Sequence, residues 1–182
     1  EDALRLAQKR NLATHLDGAR LFNAAVRLGV SAHELCKDFD SVSVCLSKGL
    51  GAPAGTLLLG NSALIAKARR ARKILGGAMR QAGLIAAAGL YALEHNVARL
   101  AEDHANAERL AQGLREAGFE VQGPHTNMVL VTAPEGFADH MVNNEILVLG
   151  GPRMRLVTHL DVDAAGIERA LSAARSFKKN AG

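Results

Sequence analysis

The sequence predicts an α/β fold: a largely parallel sheet followed by a second, smaller α/β domain. Three observations carry this expectation. Short apolar strands alternate with helical stretches over roughly the first sixty residues, the pattern of strands buried on both faces. An almost wholly helical stretch follows from 62 to about 117. Near residue 98 the character changes, and strands and helices then alternate to the end, so residues 1–97 are assigned to one domain and 98–182 to the other. A chain of 182 residues is long enough for one full domain, or for one and part of another.

Taken in order, residues 1–9 read as the end of a helix, with Leu4, Leu6 and Ala7 apolar and Arg5, Lys9 and Arg10 between and after them. Leu12–Leu16 reads as a short strand ending at Asp17-Gly18, and a helix over about 20–29 is closed by Gly29. Ser41–Leu46 is the next strand, ending at Ser47-Lys48-Gly49, and Gly55–Gly60 a third. In the helical stretch, glycines 76, 77 and 83 divide off a first segment whose buried stripe is Leu64, Ile65, Ala68, Ala71 and Leu75. Over 98–117, Leu100, Ala107, Leu110, Ala111, Leu114 and Ala117 share one face, with Gly118 as the stop. Strands are predicted near 119–122, 127–132, 146–149 and 154–157, with a helix near 135–144. A last amphipathic helix uses Ile167, Ala170, Leu171, Ala174 and Phe177, with Asp163 as its N-cap.

Composition narrows the class. Hydrophobic residues make up 48% and charged residues 22%, as in soluble globular proteins, and no apolar run is long enough to span a membrane. The net charge of +4 is compatible with phosphate or nucleic acid. Five Phe, one Tyr and no Trp leave few stacking platforms, which argues against a nucleic-acid partner. Cys36 and Cys45 have neither zinc-ligand spacing nor a disulfide framework and read as buried or free thiols of a reducing cytoplasm. The chain opens Glu1-Asp2-Ala3-Leu4, without methionine and directly in a helical pattern, and so reads as a piece of something longer.

Three motifs lie at or beyond strand ends, where α/β sheets hold their ligands. In His15-Leu16-Asp17-Gly18-Ala19-Arg20 a carboxylate at a strand's C-terminal end suits a pyridinium nitrogen, and Arg20 can point into the same crevice. A helix-capping Asp beside a surface Arg is an equal reading of that hexapeptide alone. In Ser47-Lys48-Gly49-Leu50-Gly51-Ala52-Pro53 a lysine directly follows an apolar strand on a glycine-rich turn. A Schiff-base lysine needs such a fixed and partly desolvated position, whereas no GxxxxGK precedes it to make a P-loop. The third motif is Lys67-Ala-Arg69-Arg70-Ala-Arg72-Lys73, followed by Gly76-Gly77-Ala78-Met79-Arg80-Gln81. The basic run reads first as a solvated helix face, while Arg80, beyond the Gly-Gly turn, can reach a phosphate or an adjacent subunit.

Together, His15-Leu-Asp17-Gly-Ala-Arg20-Leu-Phe-Asn-Ala-Ala, Ser-Val-Cys-Leu-Ser-Lys48-Gly-Leu-Gly-Ala-Pro, Gly-Gly-Ala-Met-Arg80-Gln and Arg155-Leu-Val-Thr-His159-Leu-Asp closely resemble the low-specificity L-threonine aldolases. The resemblance runs along essentially the whole chain, as the C-terminal part of that family. It implies the aminotransferase-like fold of pyridoxal 5'-phosphate (PLP) enzymes, fold type I, with residues 1–97 as part of the large cofactor domain and 98–182 as the small domain. It also implies a cytoplasmic homotetramer acting on a small amino acid, with threonine or allo-threonine cleaved to glycine and acetaldehyde. Lys48 would carry the cofactor as a Schiff base, and Asp17 would partner the pyridine nitrogen. Arg20 would lie near the ring oxygen and the substrate carboxylate, Arg155 would clamp that carboxylate, and Arg80 would contact the phosphate, with Lys73 a weaker match to the same region.

Family members also have an N-terminal half with a Gly-rich phosphate turn and a ring-stacking histidine, and neither is in these 182 residues. No histidine here is a stacking candidate by motif. His33, His95, His104 and His140 read as surface or packing residues, and His15 and His159 as sources of orienting hydrogen bonds. The expectation is therefore weak PLP binding and little turnover by this chain alone. The rival readings are another PLP lyase of the same fold, a basic binding module using residues 67–73, and a cofactor-free remnant.

Overall fold

In the computed structural model, which describes residues 2–180 (side chains through 177), the chain falls into two compact units, Glu1–Ala98 and Arg99–Gly182. The first unit begins with α1 (Asp2–Lys9); Glu1, the first residue of the predicted helix, lies outside the described residues. β1 (His15–Asp17) is shorter than the predicted 12–16 and shifted towards the C-terminus. Its start is fixed by a side chain: the Thr14 N–H and hydroxyl both donate to Asp40 Oδ2, at 2.7 and 2.9 Å. These backbone and side-chain hydrogen bonds hold the Asp40 carboxyl below its usual range. α2 (Leu21–Leu28) ends at Gly29, whose φ of 67° is the left-handed cap the sequence predicts.

The short α3 (Ala32–Cys36) is absent from the sequence expectation, although its signal was present. Ser31 Oγ accepts from the Glu34 N–H at 3.1 Å, the first half of a Ser-x-x-Glu box. β2 (Ser41–Cys45) buries Val42 and Val44, and β3 (Thr56–Gly60) follows. β2 is central: it pairs in parallel with β1 (Leu16 opposite Val42, Asp17 opposite Ser43) and antiparallel with β3. The largely parallel sheet is therefore corrected to one parallel and one antiparallel pair. Only residues 46–55 connect β2 to β3, too short for the helical crossover that parallel pairing requires.

α4 (Ser62–Ile74) starts where Asn61 Oδ1 accepts from the Leu64 N–H at 2.9 Å, and α5 (Gly83–His95) completes the unit. The stripe expected to be buried on α4 is not. Leu64, Ile65 and Ala68 are half-buried, and Ala71 and Leu75 are exposed.

The second unit runs α6 (Leu100–Glu116), β4 (Glu120–Gln122), β5 (Met128–Thr132), α7 (Phe137–Asn143), β6 (Arg153–Val157) and α8 (Ala164–Asn180). Its sheet is antiparallel with β5 in the centre, and α6 packs against α8 and the sheet. Leu110, Leu114, Val129, Phe137, Met154, Ile167 and Leu171 form the middle of its core. Asp163 caps α8 as expected, accepting from the Gly166 N–H at 2.7 Å. The predicted strand at 146–149 belongs to neither sheet. Ile146 and Val148 do pack on the core while Leu147 and Leu149 face outward, so its alternation reports burial and not pairing.

A polar network runs through this core. Thr158 Oγ1 donates to the Asp103 carbonyl at 2.6 Å, Asn127 Nδ2 donates to the Thr158 carbonyl at 2.8 Å, and the Thr158 N–H donates to the Asn127 carbonyl at 3.1 Å. Asp103, wholly buried, takes both arms of the Arg99 guanidinium at 2.5 and 3.3 Å. The network ties α6 to the residue before β5 and to the residue after β6.

Candidate active site

The parallel pairing of β1 with β2 brings the C-terminal ends of both strands together, and three of the predicted residues sit there. Asp17 is the last residue of β1. Its Oδ1 accepts from the Ala19 N–H at 3.1 Å, which orients the carboxylate, while Oδ2 makes no hydrogen bond among the described residues. Gly18 then lies directly against the neighbouring strand, its N–H donating to the Ser43 carbonyl at 2.8 Å. Arg20, half-buried, precedes α2 and lines a small cleft with Gly18, Phe22, Cys45 and Gly49.

Lys48 stands on a turn anchored on both sides. The Leu46 N–H donates to the Gly55 carbonyl at 2.9 Å, the Ala52 N–H to the Leu46 carbonyl at 3.0 Å, and the Gly51 N–H to the Lys48 carbonyl at 2.9 Å. Asn96 Nδ2 adds a bond to the Leu50 carbonyl at 2.7 Å. Leu46, Leu50 and Ala52 are buried beneath the turn, and Gly51 takes a φ of 73° that side chains other than glycine resist. The backbone of Lys48 is therefore rigid. Its side chain, however, is exposed, which corrects the expected partial desolvation: among the described residues of this unit none covers the ammonium.

Sequence reasoning missed the role of Cys45 in this end of the sheet. Burial pushes its thiol up, but hydrogen bonds from the Ser47 side chain and backbone, with the Lys48 charge behind them, more than offset that and leave its pKa below the ordinary thiol value. The Cys45 Sγ to Ser47 Oγ distance is 3.5 Å. Its signal in the sequence was position alone, as the last residue of β2 and three residues before Lys48.

The remaining predicted residues lie elsewhere. Lys73 is on the last turn of α4, and Arg80 is exposed between α4 and α5. Arg155 belongs to the other unit, on the exposed face of β6 opposite Leu130, with no ion-pair partner among the described residues. His15 Nδ1 lies 2.9 Å from Ser41 Oγ, and His159 Nδ1 lies 3.3 Å from the Asp161 N–H, so both make the local bonds expected of them. His104 is buried, and His140 Nε2 bonds the Ala173 carbonyl at 2.9 Å. Among the described residues no group of three or more His, Cys, Asp or Glu could hold a metal ion.

The close approach at Gly18 gives a direct prediction. A Cβ there would sit 2.7 Å from the Ser43 carbonyl oxygen, a backbone atom that cannot swing aside. Gly18→Ala is expected to cost about 1–3 kcal/mol of stability, read as a lower urea midpoint at unchanged slope, and to displace Asp17, since the two residues share one strand end.

The fold resembles that of solved threonine aldolase and aminotransferase structures. It matches the threonine aldolase of Leishmania major with a TM-score of 0.79 and 21% identity, over 98% of this chain and 55% of that one. The alanine–glyoxylate aminotransferase of Nostoc sp. matches with a TM-score of 0.66 and 18% identity, over 97% and 56%. These likenesses define the class as the aminotransferase-like α/β fold. Within it, residues 1–135 match the beta-eliminating lyase family, and the chain belongs to that family. It is also 48% identical to the low specificity L-threonine aldolase of Escherichia coli O157:H7, over 97% of this chain and 54% of the relative. The chain thus spans about half the length of the curated relatives it matches.

Proposed function

We propose that this chain supplies the cofactor lysine and its neighbours to a PLP-dependent carbon–carbon lyase that splits L-threonine or L-allo-threonine into glycine and acetaldehyde. The observation that carries the reading is the placing of Asp17 and the Lys48 turn at the adjoining ends of two parallel strands. The residues present fit PLP: an orientated carboxylate with a spare oxygen, a lysine on an anchored turn, and several guanidinium groups for an anionic ligand.

When bound, PLP supplies the electron sink that lets a bond to Cα break. The work of this chain's own residues follows from their chemistry. Asp17 holds a proton on the pyridine nitrogen. Lys48 would hold the cofactor through its side-chain amine. Arg20 would supply a guanidinium to the substrate carboxylate, and Arg155 is assigned the part of a carboxylate clamp. Arg80, with Lys73, offsets the phosphate charge. The family's usual assembly as a homotetramer and a cytoplasmic location belong to the same reading. The free thiols of Cys36 and Cys45 agree with a reducing compartment.

Membership of the beta-eliminating lyase family favours one second reading, elimination from an aromatic amino acid. Product analysis separates them. Glycine and acetaldehyde from threonine, with tyrosine and tryptophan untouched, is the expected result. Pyruvate and ammonia from either aromatic substrate would establish the second reading instead.

A further inference from the structure

Because the Lys48 side chain is exposed, its amine is placed chiefly by the backbone beneath it. Three of the four hydrogen bonds that define the turn lie within residues 46–55, so they close it on itself and fix its shape. Where the turn stands is a separate matter, and there the contacts come from α5. A Cβ on Gly89 would come within 2.8 Å of Leu46 Cδ1, and one on Gly55 within 3.5 Å of Ile85 Cγ2, so the helix lies directly on the loop. Apolar contacts of this kind hold two elements together without fixing a direction between them.

The fourth bond has a direction. Asn96, half-buried at the C-terminal cap of α5, donates from Nδ2 to the Leu50 carbonyl at 2.7 Å, across 46 residues of sequence. One peptide group carries this hold to the lysine. The carbonyl of Leu50 and the N–H of Gly51 belong to the same planar unit, and that N–H donates to the Lys48 carbonyl at 2.9 Å. Asn96, the Leu50–Gly51 peptide and Lys48 thus form one chain of hydrogen bonds, each polarising the next. Leu50 is buried, so its carbonyl has little water to turn to if the Asn96 donor is lost.

We propose that Asn96 is a positioning residue for the cofactor lysine: through the Leu50–Gly51 peptide it sets where Lys48 presents its amine. The proposal rests on Lys48 being the residue that holds the cofactor.

Asn96→Asp tests it, since the side chain keeps its shape while an acceptor replaces the donor and repels the Leu50 carbonyl. The complete enzyme, freed of cofactor, is mixed with stoichiometric PLP and trapped with borohydride at timed intervals. Lys48 should be labelled at least about tenfold more slowly in the variant, as when a reacting group is misplaced. The amides of residues 48–51 should exchange with solvent faster, a readout that needs no cofactor. At saturating cofactor kcat should fall while KM stays within about twofold. Asn96→Ala, which adds no charge, should slow labelling in the same sense and replaces the aspartate variant if that one does not fold. Asn106→Asp is the control for stability alone, because Asn106 Nδ2 makes a part-buried bond of the same kind to the Val162 carbonyl, at 3.1 Å in the second unit. It should leave both the labelling rate and the exchange at 48–51 unchanged. Labelling of Lys48 at the unsubstituted rate in the Asn96 variants would overturn the proposal and leave the cofactor reading standing. Equal slowing by Asn106→Asp would also overturn it, by reducing Asn96 to a source of general stability. Unsubstituted enzyme that takes no label at Lys48 would sink the cofactor reading, and the proposal with it.

Discussion

In the complete enzyme, Lys48→Ala is expected to abolish covalent cofactor attachment and with it all measurable turnover. Borohydride reduction after incubation with stoichiometric PLP should fix one phosphopyridoxyl group on the unsubstituted protein, at Lys48, and leave only a diffuse background of exposed lysines labelled on the variant. Lys67→Ala and Lys73→Ala should retain the label. This contrast matters because α4 carries exposed lysines that react with aldehydes non-specifically, whereas Lys48 sits on a turn held by four hydrogen bonds. Activity should fall by at least three orders of magnitude, or about 4 kcal/mol in the barrier, as when a covalent participant is removed outright. A variant that keeps both the label and the turnover would remove Lys48 from the site. Loss of turnover with the label still at Lys73 would move the cofactor to α4 instead.

The legibility of this site in the sequence followed from where its residues stand. Asp17 ends β1 and Lys48 stands three residues beyond β2, and such ends are visible where apolar residues give way to Gly and polar residues, as at Asp17-Gly18 and Ser47-Lys48-Gly49. The strict alternation Ser41-Val42-Ser43-Val44 gave β2 its burial as well as its extent. The stripes of α6 and α8 were equally readable, because their Gly118 and Asp163 punctuation leaves only one register for the helix. Strand direction was less visible, though the short 46–55 connection held the answer. Burial on α4 and desolvation at Lys48 failed for a different reason. Periodicity marks the side chains that want cover, and cover is supplied by other parts of the fold. Arg155 shows the same limit, since its motif gave its strand and face but not what approaches it.

The largest structural effect is expected at Arg99→Ala. Asp103 is wholly buried, and the two arms of the Arg99 guanidinium reach its carboxylate at 2.5 and 3.3 Å. Removing the arginine strands a carboxylate in the core, a change that costs about 3–5 kcal/mol when one half of a buried pair is lost. Asp103→Ala should cost less, because Arg99 keeps some 16% side-chain exposure and can turn towards water. The double variant Arg99→Leu/Asp103→Leu should recover much of the loss, since it removes both desolvation penalties. Urea unfolding followed by a probe in the second unit checks all three, and equal losses in the two single variants would contradict the argument. Asp103 also presents its carbonyl to Thr158, directly after β6, so the same substitution loosens the strand that carries Arg155. If Arg155 clamps the substrate carboxylate, Arg99→Ala should raise KM more than it lowers kcat, at temperatures where the variant remains folded.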